Sequence, residues 1–128
     1  MNESDRAEAS YLRTLSSDQA ATYLIERYVD GYPRTISHRS WKVADQLRLA
    51  QHFLQGRVYS SAIPYKDFLS FMSVSNFLAV VSKGIPQIPP DDLSLLFYHL
   101  VPSLRRVATS DAQMEELREF ASCHSIEM

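Results

Sequence analysis

The sequence predicts an all-α protein, a compact irregular bundle of six to eight helices, and three observations carry that prediction. Apolar residues recur at helical spacing in every long segment, as in Met114, Leu117, Phe120 and Ala121. Two helix starts are spelled out as Ser followed three residues later by Gln, at Ser16 with Gln19 and at Ser110 with Gln113. In that pattern hydroxyl and amide each satisfy a backbone N–H that the helix leaves unpaired. Strand signals are short and isolated, as at Val80–Val81 and Arg57–Tyr59, and cannot build a sheet.

A first helix is expected from Ser4 to about Leu15, with Ala7, Tyr11, Leu12 and Leu15 on one face. Ser16 caps a second, in which Ala21, Leu24, Ile25, Tyr28 and Val29 form a broad apolar stripe. Gly31 is expected to supply the left-handed residue that closes it, and Pro33 prevents continuation. Tyr32 to Ser40 reads as a polar, basic connector. A third helix near Trp41 to Gln55 aligns Val43, Leu47, Ala50 and Leu54, while Trp41, Leu49 and Phe53 widen its apolar surface until Gly56 stops it. Such width predicts a central helix.

Pro64 fits the first turn of a further helix, where the N–H it lacks would have no partner, and Phe68, Leu69 and Met72 follow. Ser73, Ser75 and Asn76 either end that helix and cap another through Phe77, Leu78, Val81 and Lys83 to Gly84, or lie within one bent helix over 64–84. Ile85 to Pro90 holds three prolines, which restrict themselves and the residues before them, and predicts an extended strap with two apolar studs. Asp91 or Asp92 is expected to cap a helix carrying Leu93, Leu96, Phe97, Leu100, Val101 and Leu104, kinked or split at Pro102. The last helix runs from Asp111 to about Ser122, before a loose tail after His124. Leu24, Leu47, Phe97 and Leu117 lie at stripe centres and are expected in the core.

A chain of 128 residues with 45% hydrophobic composition fits one domain, 1–128, able to bury a core unaided by metal or disulfide. Cys123 has no second cysteine to pair with, and Asn2, Glu3, Ser4 and Asp5 lack the charge and apolar run of a secretory signal. Ser73, Ser75, Asn76, Ser82 and Lys83 interrupt the richest apolar stretch before it reaches the roughly 18–20 residues that span a bilayer. The expectation is a soluble, cytoplasmic protein with no membrane partner.

Charge is unevenly placed behind a net value of −2. Between Arg34 and Arg57 stand the bases Arg34, Arg39, Lys42, Arg48 and Arg57 against the single acid Asp45, whereas each flank carries an excess of acids. The molecule is expected to be electrostatically two-sided.

Chemistry-bearing constellations are lacking. Gly31, Gly56 and Gly84 each follow a helix and read as C-caps, not as a phosphate-binding loop. His38, His52, His99 and His124 form no metal-ligand spacing, and Cys123 beside His124 on a helix points in a different direction from it. Asp91 with Asp92 and Glu115 with Glu116 fit helix starts and a solvated face better than a carboxylate acid–base pair. No catalytic residue, cofactor or metal is predicted, and the protein is expected not to be an enzyme.

Two surfaces remain as binding candidates. Asp111, Glu115 and Glu119 fall at i, i+4 and i+8 with Glu116 beside them, an acidic strip opposite Met114, Leu117 and Phe120, with Asp91 and Asp92 as secondary contacts. The alternative is a nucleic-acid surface of Arg34, Arg39, Lys42 and Arg48, although Tyr32–Ser40 is too long for the turn of a helix-turn-helix. Arg34 and Arg39 can instead serve the carbonyls and acids of the preceding helix, Asp30 among them.

The run Tyr65 to Lys83, the strap Ile85 to Pro90, the helix Leu93 to Val107 and the acidic strip from Asp111 together resemble the small helical immunity proteins of bacterial contact-dependent growth inhibition systems. The resemblance is one of general character over most of the chain. It implies a protein that binds a cognate toxin, possessing a basic face if the toxin is a nuclease, and occludes its active site without catalysis or cofactor. Nucleic acid is not the expected partner.

Overall fold

The computed structural model of this protein describes residues 2–126. Its seven α-helices are α1 (Glu3–Thr14), α2 (Ser17–Arg27), α3 (Val43–Phe53), α4 (Ile63–Leu69), α5 (Val74–Gly84), α6 (Pro90–Val107) and α7 (Asp111–Cys123), with short 3₁₀ turns at Ile36–His38 and Ile85–Gln87. Among the described residues there is no strand, and the all-α architecture is the one the periodicity predicts.

Local start signals act where the sequence places them. Ser16 and Ser110 each accept from the backbone N–H of the third helical residue, and Gln19 and Gln113 return the bond to the cap. Ser73 accepts from Asn76 N–H, so 64–84 is two helices. Proline opens the first turn of both α4 and α6. Consequently neither Asp91 nor Asp92 is the cap of α6; Pro89 holds that position and both acids lie in the first turn. Pro102 does not split α6, which runs unbroken through it.

Stops are less faithful to the sequence. Gly31 is not left-handed, and α2 ends instead at Tyr28, whose carbonyl lies 2.9 Å from His52 Nε2. Gly56 does adopt the left-handed conformation, at φ 75°. Gly84 has ordinary helical angles, and its missing side chain matters for another reason. A Cβ there would stand 2.2 Å from the backbone nitrogen of Gly56, so the end of α5 can touch the turn after α3 only through glycine. The strap is not extended throughout, since Ile85–Gln87 forms a 3₁₀ turn before Ile88 inserts into the core. Nor is the described tail loose: Ser125 takes φ 55° and lets Ile126 N–H reach Ala121 O at 2.8 Å, a helix-closing pattern usually given to glycine. Residues 127 and 128 lie outside the described residues.

The helix at the centre is α5, not α3. It packs on α3, α4 and α7 and buries Val74, Phe77, Leu78, Val80 and Val81, while α2 covers α3, and α6 joins α4 to α7. Two expected core residues, Leu24 and Leu117, are buried; Leu47 and Phe97 are only half-buried. The expected α3 surface is buried at Trp41, Leu49, Ala50, Phe53 and Leu54 but not at Val43, which is 56% exposed. On α1, Leu12 is buried while Tyr11 is 48% exposed and Ala9 is buried in its place; Asp45 is buried beside the α3 face.

Candidate functional site

The acidic strip lies on α7, where Ser110 fixes the helix start and Leu117, Phe120 and Ala121 fix its buried face. Asp111, Glu115 and Glu119 are exposed and Glu116 half-exposed. Glu115 is bridged by Arg118 at 3.0 Å, whereas Asp111, Glu116 and Glu119 have no ion pair among the described residues. Glu116 and Glu119 line an open groove of about 490 Å³ between α5 and α7 together with the buried Leu78 and Phe120 and the exposed Ala79. Apolar surface beside charge is what protein-binding surfaces combine.

The helices α6 and α7 are joined by three residues and run antiparallel, with the Phe97 ring 6.3 Å from both the Phe120 ring and the His124 ring. Asp91 and Asp92 therefore sit one α6 length, roughly 25 Å, from the end where Asp111 begins. They are exposed but do not form one patch with Asp111.

Two of the four basic candidates, Arg39 and Arg48, are engaged within the fold. Arg39 Nη1 donates to the carbonyls of Leu12 and Leu15 at 2.7 and 2.9 Å and its guanidinium lies over the Trp41 ring, so it closes α1 and not α2. Arg48 donates to Asp18, Asp45 and Thr22, tying α3 to α2. Arg57 caps the Val29 carbonyl at 2.7 Å. Among the described residues the side chains of Arg34 and Lys42 have no hydrogen bond or ion pair, and they line different clefts.

The histidines and the cysteine are also dispersed. His124 packs its ring 4.7 Å from Phe120, and Cys123 beside it is exposed. His99 meets the Tyr98 ring, and its carbonyl accepts from Ser103. Among the described residues no three His, Cys, Asp or Glu side chains gather as a metal site, and no helix is long and apolar enough to cross a membrane.

Two carboxylates that sequence reasoning missed are the best-built polar centres. Glu8, its side chain 10% exposed, accepts from Tyr28 OH at 2.8 Å, from Thr35 Oγ1 at 2.7 Å and from Tyr23 OH at 3.3 Å, with Arg27 at 3.4 Å. Burial, then the bond to Glu8, raises the Tyr28 phenol to about 12. Asp67 accepts from Tyr32 OH at 2.7 Å across thirty-five residues of chain. Burial pushes its carboxyl above the ordinary range, against the opposing pull of Tyr32, His38 and the nearby Ser37 hydroxyl. Both Tyr32 and Asp67 line an open cleft of about 760 Å³, with Asn2, Asp5, Arg34, Ser37, His38, Ser61, Ile63 and Pro64 also on its wall. A single Asp in the first turns of a short helix gives no sequence signal for this.

No protein family matches this chain, and neither curated proteins nor solved structures include a significant match to it.

Proposed function

We propose that this is a non-catalytic binding protein that neutralises a basic protein toxin by occluding its active site, an immunity protein of the contact-dependent growth inhibition type acting in the cytoplasm. The observation that carries the reading is the α5–α7 groove, where Glu116 and Glu119 stand beside apolar Leu78, Ala79 and Phe120. Complementary charge would speed encounter with a basic partner, and the apolar residues would supply the desolvated contact. A nucleic-acid role for Arg34, Arg39, Lys42 and Arg48 draws less support, because Arg39 and Arg48 are engaged inside the fold.

The test is the triple reversal Asp111→Lys, Glu115→Lys and Glu119→Lys, compared with wild type for binding to the partner recovered by pull-down or encoded by the adjacent gene. Affinity is expected to fall by several kcal/mol where charges are desolvated, while stability changes by only about 0.5 kcal/mol and helical circular dichroism is retained. Unchanged affinity removes α7 from the interface. Failure to recover any protein partner overturns the neutralising role.

A further inference from the structure

The long helix α6 keeps two faces apart. Leu96, Leu100, Val101, Ser103 and Leu104 are buried, while Asp91, Leu95, Tyr98, Pro102 and Arg106 recur at i, i+4, i+7, i+11 and i+15 and are all exposed. At 3.6 residues per turn these exposed positions fall within about 80° of one another and form a single stripe roughly 22 Å long. Its middle is apolar: Leu95 is 40% exposed and Tyr98 73%, and the Tyr98 ring stands edge-on against the His99 ring with centroids 4.9 Å apart. Its ends carry opposite charge. Asp91 and Asp92 stand at the start, and Arg106 at the finish shares a cleft with Lys66 of α4. Among the described residues none of these four side chains has an ion pair. An apolar patch centred on a large aromatic side chain and bounded by unpaired charge has the composition of an interface.

The order of residues along the stripe selects what covers it. Leu95 and Pro102 are equally far in sequence from the point between Tyr98 and His99, and so are Asp91 and Arg106. A second α6 laid antiparallel on the first therefore sets Tyr98 against Tyr98, Leu95 against Pro102 and Asp91 against Arg106, each charged pair occurring twice. A parallel second copy would set acids against acids. Contact about a two-fold axis requires this kind of self-complementarity, in which each residue meets in the partner what the partner meets in it. We propose that the exposed face of α6 is the contact surface of a two-fold dimer, its occupant the same face of a second copy. Asp92 falls on the edge of the stripe that carries His99 and Ser103, where the α4 cleft opens, and the two-fold axis keeps that edge on one side in both copies. Lys66 of each copy thus faces the acidic end of the other, and the opposed charges fix the register. No residue of α5 or α7 belongs to the stripe, so the groove assigned to the toxin lies outside the contact and either can fail without the other.

The experiment is sedimentation equilibrium of the full chain with a reductant present, so that the exposed Cys123 cannot cross-link copies. Wild type is expected to show a monomer–dimer equilibrium that weakens as salt rises. Tyr98→Glu brings two carboxylates together at the axis and is expected to weaken association about tenfold or more, while helical circular dichroism is retained because the side chain lies outside the core. Val43→Glu, at an exposed apolar position on α3, is expected to associate as wild type does. The antiparallel register is read from two further variants. Asp91→Lys with Asp92→Lys leaves only basic ends, and Lys66→Glu with Arg106→Glu leaves only acidic ends. Each alone is expected to be monomeric, and an equimolar mixture of the two, both folded by circular dichroism, is expected to form the dimer. A wild type that stays monomeric at about 1 mM, equal association by Tyr98→Glu, or no pairing in the mixture overturns the proposal.

Discussion

The two halves of this molecule are held together by different forces. In α1–α3 and the segments around them, polar side chains join residues far apart in the chain: Glu8 gathers Tyr23, Tyr28 and Thr35, Arg39 closes α1 from the next connector, and Arg48 ties α3 to α2. From Ser73 onward, Arg105 apart, the side-chain hydrogen bonds of the described residues join positions no more than four apart, as caps, back-bonds and one helical ion pair. There the helices meet through Phe77, Leu78, Val81, Leu96, Leu100, Leu104 and Phe120. The difference teaches where charge is available. Glu8, Arg39, Asp45 and Arg48 in the first half have internal partners and are part of the scaffold, whereas Asp111, Glu116 and Glu119 in the second half have no ion pair among the described residues.

That contrast breaks most readily at the apolar end. Phe77→Ala removes a fully buried ring from the central helix and is expected to cost about 3–5 kcal/mol through lost burial and the cavity left behind, read from urea denaturation midpoints. A cost under roughly 1 kcal/mol would mean that the second half does not depend on this packing.

The polar half is tested by Glu8→Ala, which leaves the buried Thr35 hydroxyl and the partly buried Tyr28 hydroxyl without their acceptor. The expected loss is about 2–3 kcal/mol, with Glu8→Gln less affected because it keeps an acceptor and the volume. Equal stability of wild type and Glu8→Ala would reduce the hub to a bystander.

The smallest effect sharpens the same point through pH. The Tyr28 phenol holds its proton to about 12 in the fold against 10.0 for an ordinary tyrosine. The folded state therefore retains the proton more tightly than the unfolded chain, and the stability so linked is complete below pH 10 and lost as pH rises through 12. Any advantage of wild type over Tyr28→Phe in chemical denaturation should shrink across that window, and a constant difference would separate Tyr28 ionisation from folding.

What the sequence by itself determined is the set of interactions closed within three or four residues. The serine caps with Gln19 and Gln113, the proline opening α4, and the buried stripe Leu117, Phe120 and Ala121 were legible, because each donor and acceptor pair or apolar row lies on one turn or face. Ser73, by contrast, left one helix or two open, and the start of α6 was read too late. Exposure of the α7 acids followed from the same periodicity. What only the tertiary structure decided depends on partners distant in the chain. Nothing local marks Glu8 or Asp45 for burial; Tyr28 and Thr35 for the one, and Arg48 for the other, receive them only in the folded chain. The basic run from Arg34 to Arg57 looks like a surface and is largely internal bonding, since a guanidinium reaches carbonyls that only folding brings near. Gly84 lies at a helix end, but its small size is required by the backbone of Gly56. The cleft at Asp67 exists only because Tyr32 meets α4, a contact that no local pattern encodes.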